Sequence, residues 1–298
     1  NNGGVIMPGL TATLKRIDPQ VLHAHQIAAP AWAHAAAWVA WRRGRKFFYS
    51  PHFHPDTEGA GWLNLLLLRA LNRLPIRSAR RIFHLTSRDF GPFAAEYPEA
   101  RPERFAVLYN GVMPPLPLPR PDKPEGALDL LFVGRVDDHR KGFDLLRAAF
   151  AERRRAGWRL TVIGRIAEAT KAALESEFGE AVRVLGPVPE RRLEEAYAEA
   201  DVFVMPSRYE GFGMPYIEAM RYGCAVIGTA TGGTPEIVPD GTGLLVPPDD
   251  LAALADAIER VGGDAGLRAR LGEAGRAWSA GFHWSRIVDQ LEHAYSTA

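Results

Sequence analysis

From about residue 129 onward, short runs of β-branched and aromatic residues alternate with stretches whose apolar positions recur at helical spacing. The runs at 130–133, 160–163, 182–185, 202–205, 225–228 and 243–246 predict strands. Helical periods fill 143–154, 168–178, 190–199, 215–222 and a short turn at 234–237, and a pair at 251–261 and 265–280 follows. Strand and helix in strict alternation predict a parallel sheet covered on both faces, with right-handed crossovers. The first 125 residues alternate less cleanly: strands at 21–24, 47–50, 82–86 and 106–109, and helices at 28–42, 61–74 and 88–97. The helix at 61–74 is expected to end at Leu74. A final helix at 284–295 carries Ile287, Val288, Leu291 and Tyr295 on one face.

Between the two halves lies MPPLPLPRPDKPEG, residues 113–126, with six prolines. Such a stretch cannot be a helix or a central strand and reads as a stiff extended connector. The expected domains are therefore 1–120, 121–280 and a terminal helix at 281–298. Composition adds little: 47% hydrophobic and 24% charged residues over 298 positions suit globular α/β domains. The net charge of +1 gives no bulk attraction to nucleic acid. The single cysteine, Cys224, excludes an intrachain disulfide and fits a reducing, cytoplasmic compartment, where its bland reading is a small buried hydrophobe. No apolar run reaches membrane-spanning length; the longest, 62–71, is interrupted by Asn64 and Arg69 and reads as a core helix or a surface-docking one.

Ligands of open parallel sheets sit beyond the carboxyl ends of the strands, so the loops there are the places to search. After the strand at 130–133 come Gly134, Arg135 and Lys141, two cations beside helix-start amides, as a phosphate or diphosphate requires. Spacing alone does not separate this from a solvated basic loop. After the strand at 202–205 comes PSRYEGFGMPYIEAM, which sets Glu210 and Glu218 on either side of Gly211, Phe212, Gly213 and Met214. Carboxylates accept two hydroxyls at once, so the pair suits sugar or ribose; equally, Glu218 complements a helix dipole and Glu210 is solvated. The loop Gly232-Gly233-Thr234-Pro235 offers a further glycine-rich turn, with Glu236 and Asp240 as helix and turn formers. In the first half, His23 and His25 form one His-x-His pair at a strand end, and His52 and His54 form another, a pattern that also suits a metal ion.

In this order and spacing, Gly134-Arg135 with Lys141, PSRYEGFGMPYIEAM and GGTPEIVPDGTGLLV resemble retaining glycosyltransferases of the GT-B type, family 4. The resemblance implies two Rossmann-like domains facing across a cleft. Arg135 and Lys141 match the basic pair that neutralises the donor diphosphate, and Glu210 matches the acid on the transferred sugar. Gly211, Phe212 and Gly213 match the amides beside that acid, with Met214 next to them, and Glu218 matches the acid on the ribose. Pro187 and Val188 match the loop near the nucleobase, Asn110 and Gly111 the end of the first domain, and the helix at 284–295 the one crossing back. His52, with His54 second, matches a histidine facing the donor sugar, while His23 and His25 are read as structural. The implied reaction is sugar transfer from a UDP- or GDP-linked donor to a hydroxyl of a glycan, glycolipid or small molecule, with retention, no metal and no further cofactor. It would occur in the cytoplasm or peripherally at the inner face of the membrane. Two departures stand out. The chain opens with a helix-like segment rather than the strand and glycine-rich loop usual for the family, so the first domain is expected to be partial. No acid follows Val112. A metal-dependent hydrolase built on His23, His25, His52 and His54, and an inactive nucleotide-sugar-binding module, are the alternatives.

Overall fold

The computed structural model describes residues 9–27, 30–53 and 62–298. Its chain divides into two compact units, one of residues up to Asn110 with Ser285–Ala298, the other Gly111–Trp284.

In the first unit, α1 (Leu10–Ile17) leads directly into β1 (Val21–His25), followed by α2 (Pro30–Arg43), β2 (Lys46–Ser50), α3 (Trp62–Ser78), β3 (Ile82–His84), α4 (Phe90–Glu96) and β4 (Phe105–Val107). The strands form one parallel sheet in the order β1-β2-β3-β4. Phe47, Tyr49, Ile76, Ile82 and Phe93 form its core with Ala33, Ala37 and Ala40 of α2. Full burial of each large side chain stabilises by about 2 kcal/mol.

Helix α3 runs through Pro75 to Ser78 instead of stopping before it. Pro75 removes the N–H that would bond the Leu71 carbonyl, and His34 Nδ1 of α2 supplies a replacement at 3.2 Å. The leucine run does not serve as core throughout: Leu66 and Leu67 are 52% and 54% exposed. Beside Ile76, α3 also buries a polar side chain completely. Asn72 accepts from Tyr49 Oη at 2.6 Å and donates to the carbonyls of Ile27 and Leu68.

In the second unit, β5 (Leu128–Val133), α5 (Phe143–Arg153), β6 (Trp158–Ile163), α6 (Glu168–Phe178), β7 (Val182–Gly186), α7 (Glu190–Glu199), β8 (Val202–Met205), α8 (Met214–Arg221), β9 (Ala225–Thr229), α9 (Thr234–Ile237), β10 (Leu244–Val246), α10 (Leu251–Gly263) and α11 (Ala265–Ser279) follow in turn. The sheet order is β10-β9-β8-β5-β6-β7, with all pairs parallel. Strands covered on both faces read as continuous apolar runs, and Val202–Met205 and Ala225–Thr229 are buried throughout. The strand order reverses between β5 and β8, so the loops after these two strands part at a topological switch point.

The proline-rich segment is fastened to the second unit. Arg221 donates to the Met113 carbonyl at 2.6 Å, Tyr222 Oη accepts from Leu116 N–H at 2.8 Å, and Lys123 donates to the Glu199 carbonyl and to Asp201. Buried Glu194 takes hydrogen bonds from both Arg221 and Tyr222. Helix α12 (Trp284–Thr297) groups almost wholly with the first unit, where Tyr295 Oη bonds His23 Nδ1 at 2.6 Å and Lys46 donates to the Tyr295 carbonyl at 2.9 Å.

Candidate functional site

The switch point of the second unit gathers most of the residues singled out in the sequence. Beyond Val133, Gly134 N–H donates to the Ile163 carbonyl, and a tight turn over His139–Lys141 precedes α5. Asp138 caps that turn: its carboxylate accepts from Arg140 N–H and also faces the guanidiniums of Arg140 and Arg135, the latter at 2.5 Å. The hydrogen bond from Arg140, with Arg135 adding its charge, holds the Asp138 carboxyl down to about 2. The turn delivers Lys141 to the next loop, where its Nζ lies 2.7 Å from Glu210 Oε2 with both side chains largely covered, 22% and 13% exposed.

Two glycines make this approach sterically feasible. Gly142 has φ +65°, and a Cβ there would stand 1.9 Å from the Pro206 carbonyl oxygen. Gly232 has φ +50°, and its Cβ would stand 2.1 Å from the Glu210 carbonyl oxygen. Only glycine admits backbone so close in this conformation. That carbonyl also accepts from Gly233 N–H at 2.9 Å, so the glycine-rich loop after β9 packs against the Glu210 loop.

Arg208 binds these loops together. Its guanidinium grips Asp144 of α5 through two 2.7 Å bonds, donates to the His139 carbonyl at 2.7 Å and meets Asp249 at 2.6 Å, while its N–H donates to the Arg140 carbonyl. Arg208 holds the Asp144 carboxyl below its usual range. Nothing local in the sequence marks Arg208, because its partners stand 41 and 64 residues away.

Glu218 sits inside α8, half-buried, and accepts from Tyr197 Oη of α7 at 2.8 Å. Burial pushes its carboxyl above the usual range, opposed by the Tyr197 hydrogen bond and the Arg221 charge. Tyr197 is wholly buried, and that burial pushes its phenol up. Helix α8 is itself hung from β8 by Tyr216, whose hydroxyl donates to the Met205 carbonyl at 2.5 Å. Sequence reasoning missed Tyr197, Arg208 and Tyr216; buried phenols at helical positions were the available signal.

The remaining candidates disperse. Gly211 and Met214 are half-buried and Gly213 buried in the loop and at the start of α8, while buried Phe212 turns to the ring of Phe282. Pro187 is exposed and Val188 half-buried, directly beyond the edge strand β7. Asn110 is the half-buried last residue of the first unit. His52 belongs to that unit too, in a left-handed conformation with φ 46°, its Nε2 3.1 Å from His25 Nδ1. A bulky residue held there is strained, a condition that clusters at binding sites. His54 lies outside the described residues.

His23 is stacked on His25 with centroids 4.3 Å apart, and both of its nitrogens are engaged, by Tyr295 and Ser50. Burial, then the neighbouring His25 and His52, drive its pKa down to about 3. A neutral ring hydrogen-bonded at both nitrogens has its one lone pair already engaged. Among the described residues, no group of three or more His, Cys, Asp or Glu side chains could hold a metal ion. Cys224 is buried against the Tyr197 carbonyl, and burial pushes its thiol up to about 12. Among the described residues, no helix is long and apolar enough to cross a membrane.

Comparison with known proteins bears on the family and the fold. The chain is 34% identical to D-inositol 3-phosphate glycosyltransferase 1 of Catenulispora acidiphila over 75% of its own length and 58% of that protein. It is 33% identical to the D-inositol 3-phosphate glycosyltransferase of Corynebacterium aurimucosum over 68% of its length and 53% of that protein. It thus spans little more than half of the curated relatives it matches. Among solved structures, HepE of Anabaena in complex with UDP superposes with a TM-score of 0.79 at 19% identity, covering 98% of this chain and 82% of that one. Sucrose-phosphate synthase of Thermosynechococcus elongatus superposes with a TM-score of 0.74 at 24% identity, covering 96% and 75%. These likenesses bear out the GT-B fold class, α/β with parallel sheets. Residues 127–264 match the family described as glycosyl transferases group 1, and this part of the chain is a domain of that family.

Proposed function

We propose that this chain carries the donor-binding domain and acceptor-side residues of a retaining glycosyltransferase that moves a hexose from a nucleotide diphosphate sugar to an acceptor hydroxyl. The observation that carries the reading is the Lys141–Glu210 contact across the switch point, which joins a cation to a carboxylate where an α/β sheet receives ligands. A diphosphate competes with Glu210 for the Lys141 ammonium. Its arrival leaves Glu210 to accept from the sugar hydroxyls, and Arg135, 57% exposed, exchanges Asp138 for phosphate oxygen. As the glycosidic bond breaks, charge grows on the diphosphate, and these two cations stabilise it more than they stabilise the ground state. Side chains so placed do the work of a divalent metal, so turnover is expected to survive chelation and no further cofactor is required. Glu218, aimed by Tyr197, takes the ribose hydroxyls, and Pro187 and Val188 border the base.

UDP is the first nucleotide to test, because HepE of Anabaena was crystallised with UDP and with UDP-glucose. The named activity of the relatives makes a phosphorylated cyclitol the first acceptor to assay. A glycolipid acceptor, reached from a membrane surface beside the exposed leucines of α3, is the second. The test is calorimetric titration of UDP-sugars into the parent chain and into Lys141→Ala and Glu218→Ala. Each variant is expected to bind about tenfold to a hundredfold more weakly, the value of a charge-assisted hydrogen bond. Unchanged donor affinity in both variants rejects the site, and binding without turnover of any acceptor identifies a binding module instead.

A further inference from the structure

At the opposite, amino-terminal edge of the first unit's sheet, four guanidiniums share one cavity. Arg77 lies in the last turn of α3, Arg80 and Arg81 immediately precede β3, and Arg104 immediately precedes β4. With Ser78 and Ala298 at its rim, the cavity encloses about 340 Å³. That volume exceeds what one phosphate fills and lies within the range of small-ligand sites.

Among the described residues the four guanidiniums make hydrogen bonds, through Arg104 and Arg81, but no ion pair. Arg104 donates to the carbonyls of Arg77 and Ala79 at 2.8 and 2.9 Å, and Arg81 donates to the Glu103 carbonyl at 3.2 Å. These acceptors are neutral. Among the described residues, none of the four guanidiniums lies within ion-pair distance of a carboxylate. Basic residues at a helix carboxyl end commonly offset the helix dipole, but here Arg104 already holds the Arg77 carbonyl in the last turn of α3 and the Ala79 carbonyl just beyond it. The other three are surplus to that purpose. Like charges held together in one concavity repel unless an anion lies between them, and guanidinium forks match phosphate oxygens two at a time.

We infer that this cavity is a second anion site, separate from the switch-point loops, which takes a phosphate-bearing polyanion. Its position at the amino ends of β3 and β4 places it at the other end of the sheet from His25 and His52. A ligand there is bound rather than processed. The chemistry is common to a soluble polyphosphate and to the headgroups of an anionic lipid surface.

The probe is inorganic tripolyphosphate, titrated calorimetrically into the full chain carrying Lys141→Ala, which weakens the proposed donor site. Arg77 and Arg80 are exposed and make no hydrogen bond through their side chains among the described residues, so Arg77→Gln with Arg80→Gln leaves the fold intact. Arg104 is left unchanged because it holds two carbonyls. The expected result is binding in Lys141→Ala that weakens about tenfold or more when the two arginine substitutions are added, and that weakens with salt. No binding in Lys141→Ala, or binding indifferent to the arginine substitutions, overturns the inference. Parent-like donor binding in both Lys141→Ala and Glu218→Ala rejects the donor site alone and leaves this readout intact. Sedimentation with phosphatidylglycerol vesicles, against phosphatidylcholine controls, assigns the source. Co-sedimentation that the arginine substitutions abolish points to lipid headgroups; tripolyphosphate binding without co-sedimentation points to a soluble phosphate. Either result supports the site.

Discussion

Replacing Tyr197 by Phe removes a single oxygen from a fully buried side chain and leaves the ring packing in place. The lost bond is the 2.8 Å donation to Glu218 Oε2. A buried hydrogen bond to a charged acceptor contributes about 1.5–3 kcal/mol. Glu218 retains the Arg221 charge, so the lower end applies and donor affinity is expected to fall about tenfold. The pH dependence carries the sign of the effect. Burial holds the folded-state pKa of Glu218 above its unfolded value, so between the two values the folded chain binds more protons than the unfolded one. Stability therefore falls as pH rises through that window. Loss of the phenol raises the folded value further, so the decline extends to higher pH, and the acid limb of donor binding moves to higher pH with it. Calorimetric donor titrations from acid to neutral pH, paired with thermal melts, read both. An acid limb in Tyr197→Phe that superimposes on the parent's, while Glu218→Ala still weakens binding, would refute a positioning role for Tyr197.

Gly142→Ala places a Cβ 1.9 Å from the Pro206 carbonyl at φ +65°, so a loss of about 3 kcal/mol and a lower melting temperature are expected; an unshifted melt denies the close loop approach. Glu210→Gln removes the anion that competes for Lys141. UDP alone is then expected to bind as tightly as to the parent or more tightly, while sugar transfer collapses; weaker UDP binding contradicts the partner exchange. His23 stays neutral in the fold because its pKa is depressed from 6.5 to about 3, so the stability it supports is complete above 6.5 and is lost as pH falls toward 3. His23→Phe is expected to flatten that part of the acid melting curve, and an unaltered slope assigns the acid sensitivity elsewhere. Glu194→Ala leaves Arg221 buried with the Met113 carbonyl but without its carboxylate partner and is expected to cost about 3–5 kcal/mol by denaturant titration. A loss below about 1 kcal/mol removes that buried pair from the links holding the proline-rich segment.

The sequence by itself determined the alternation of strand and helix, because periodicity of two or of three to four residues is a local property that each segment carries alone. It also determined which loops end strands, and so placed Lys141, Glu210 and Glu218 among the candidates before any contact was known. The helix through Pro75 was not legible, since the group that replaces its missing bond, His34, lies on a different helix. Nor was the outward turn of Leu66 and Leu67, which depends on what α3 packs against. Only the tertiary structure decided the pairings. Lys141 meets Glu210 across 69 residues, Tyr197 meets Glu218 across 21, and Arg208 reaches Asp144 across 64. Such contacts depend on strand order in the sheet, which brings β5 beside β8 at the switch point. Strand order is settled by how apolar faces bury one another, and no local pattern of residues encodes it.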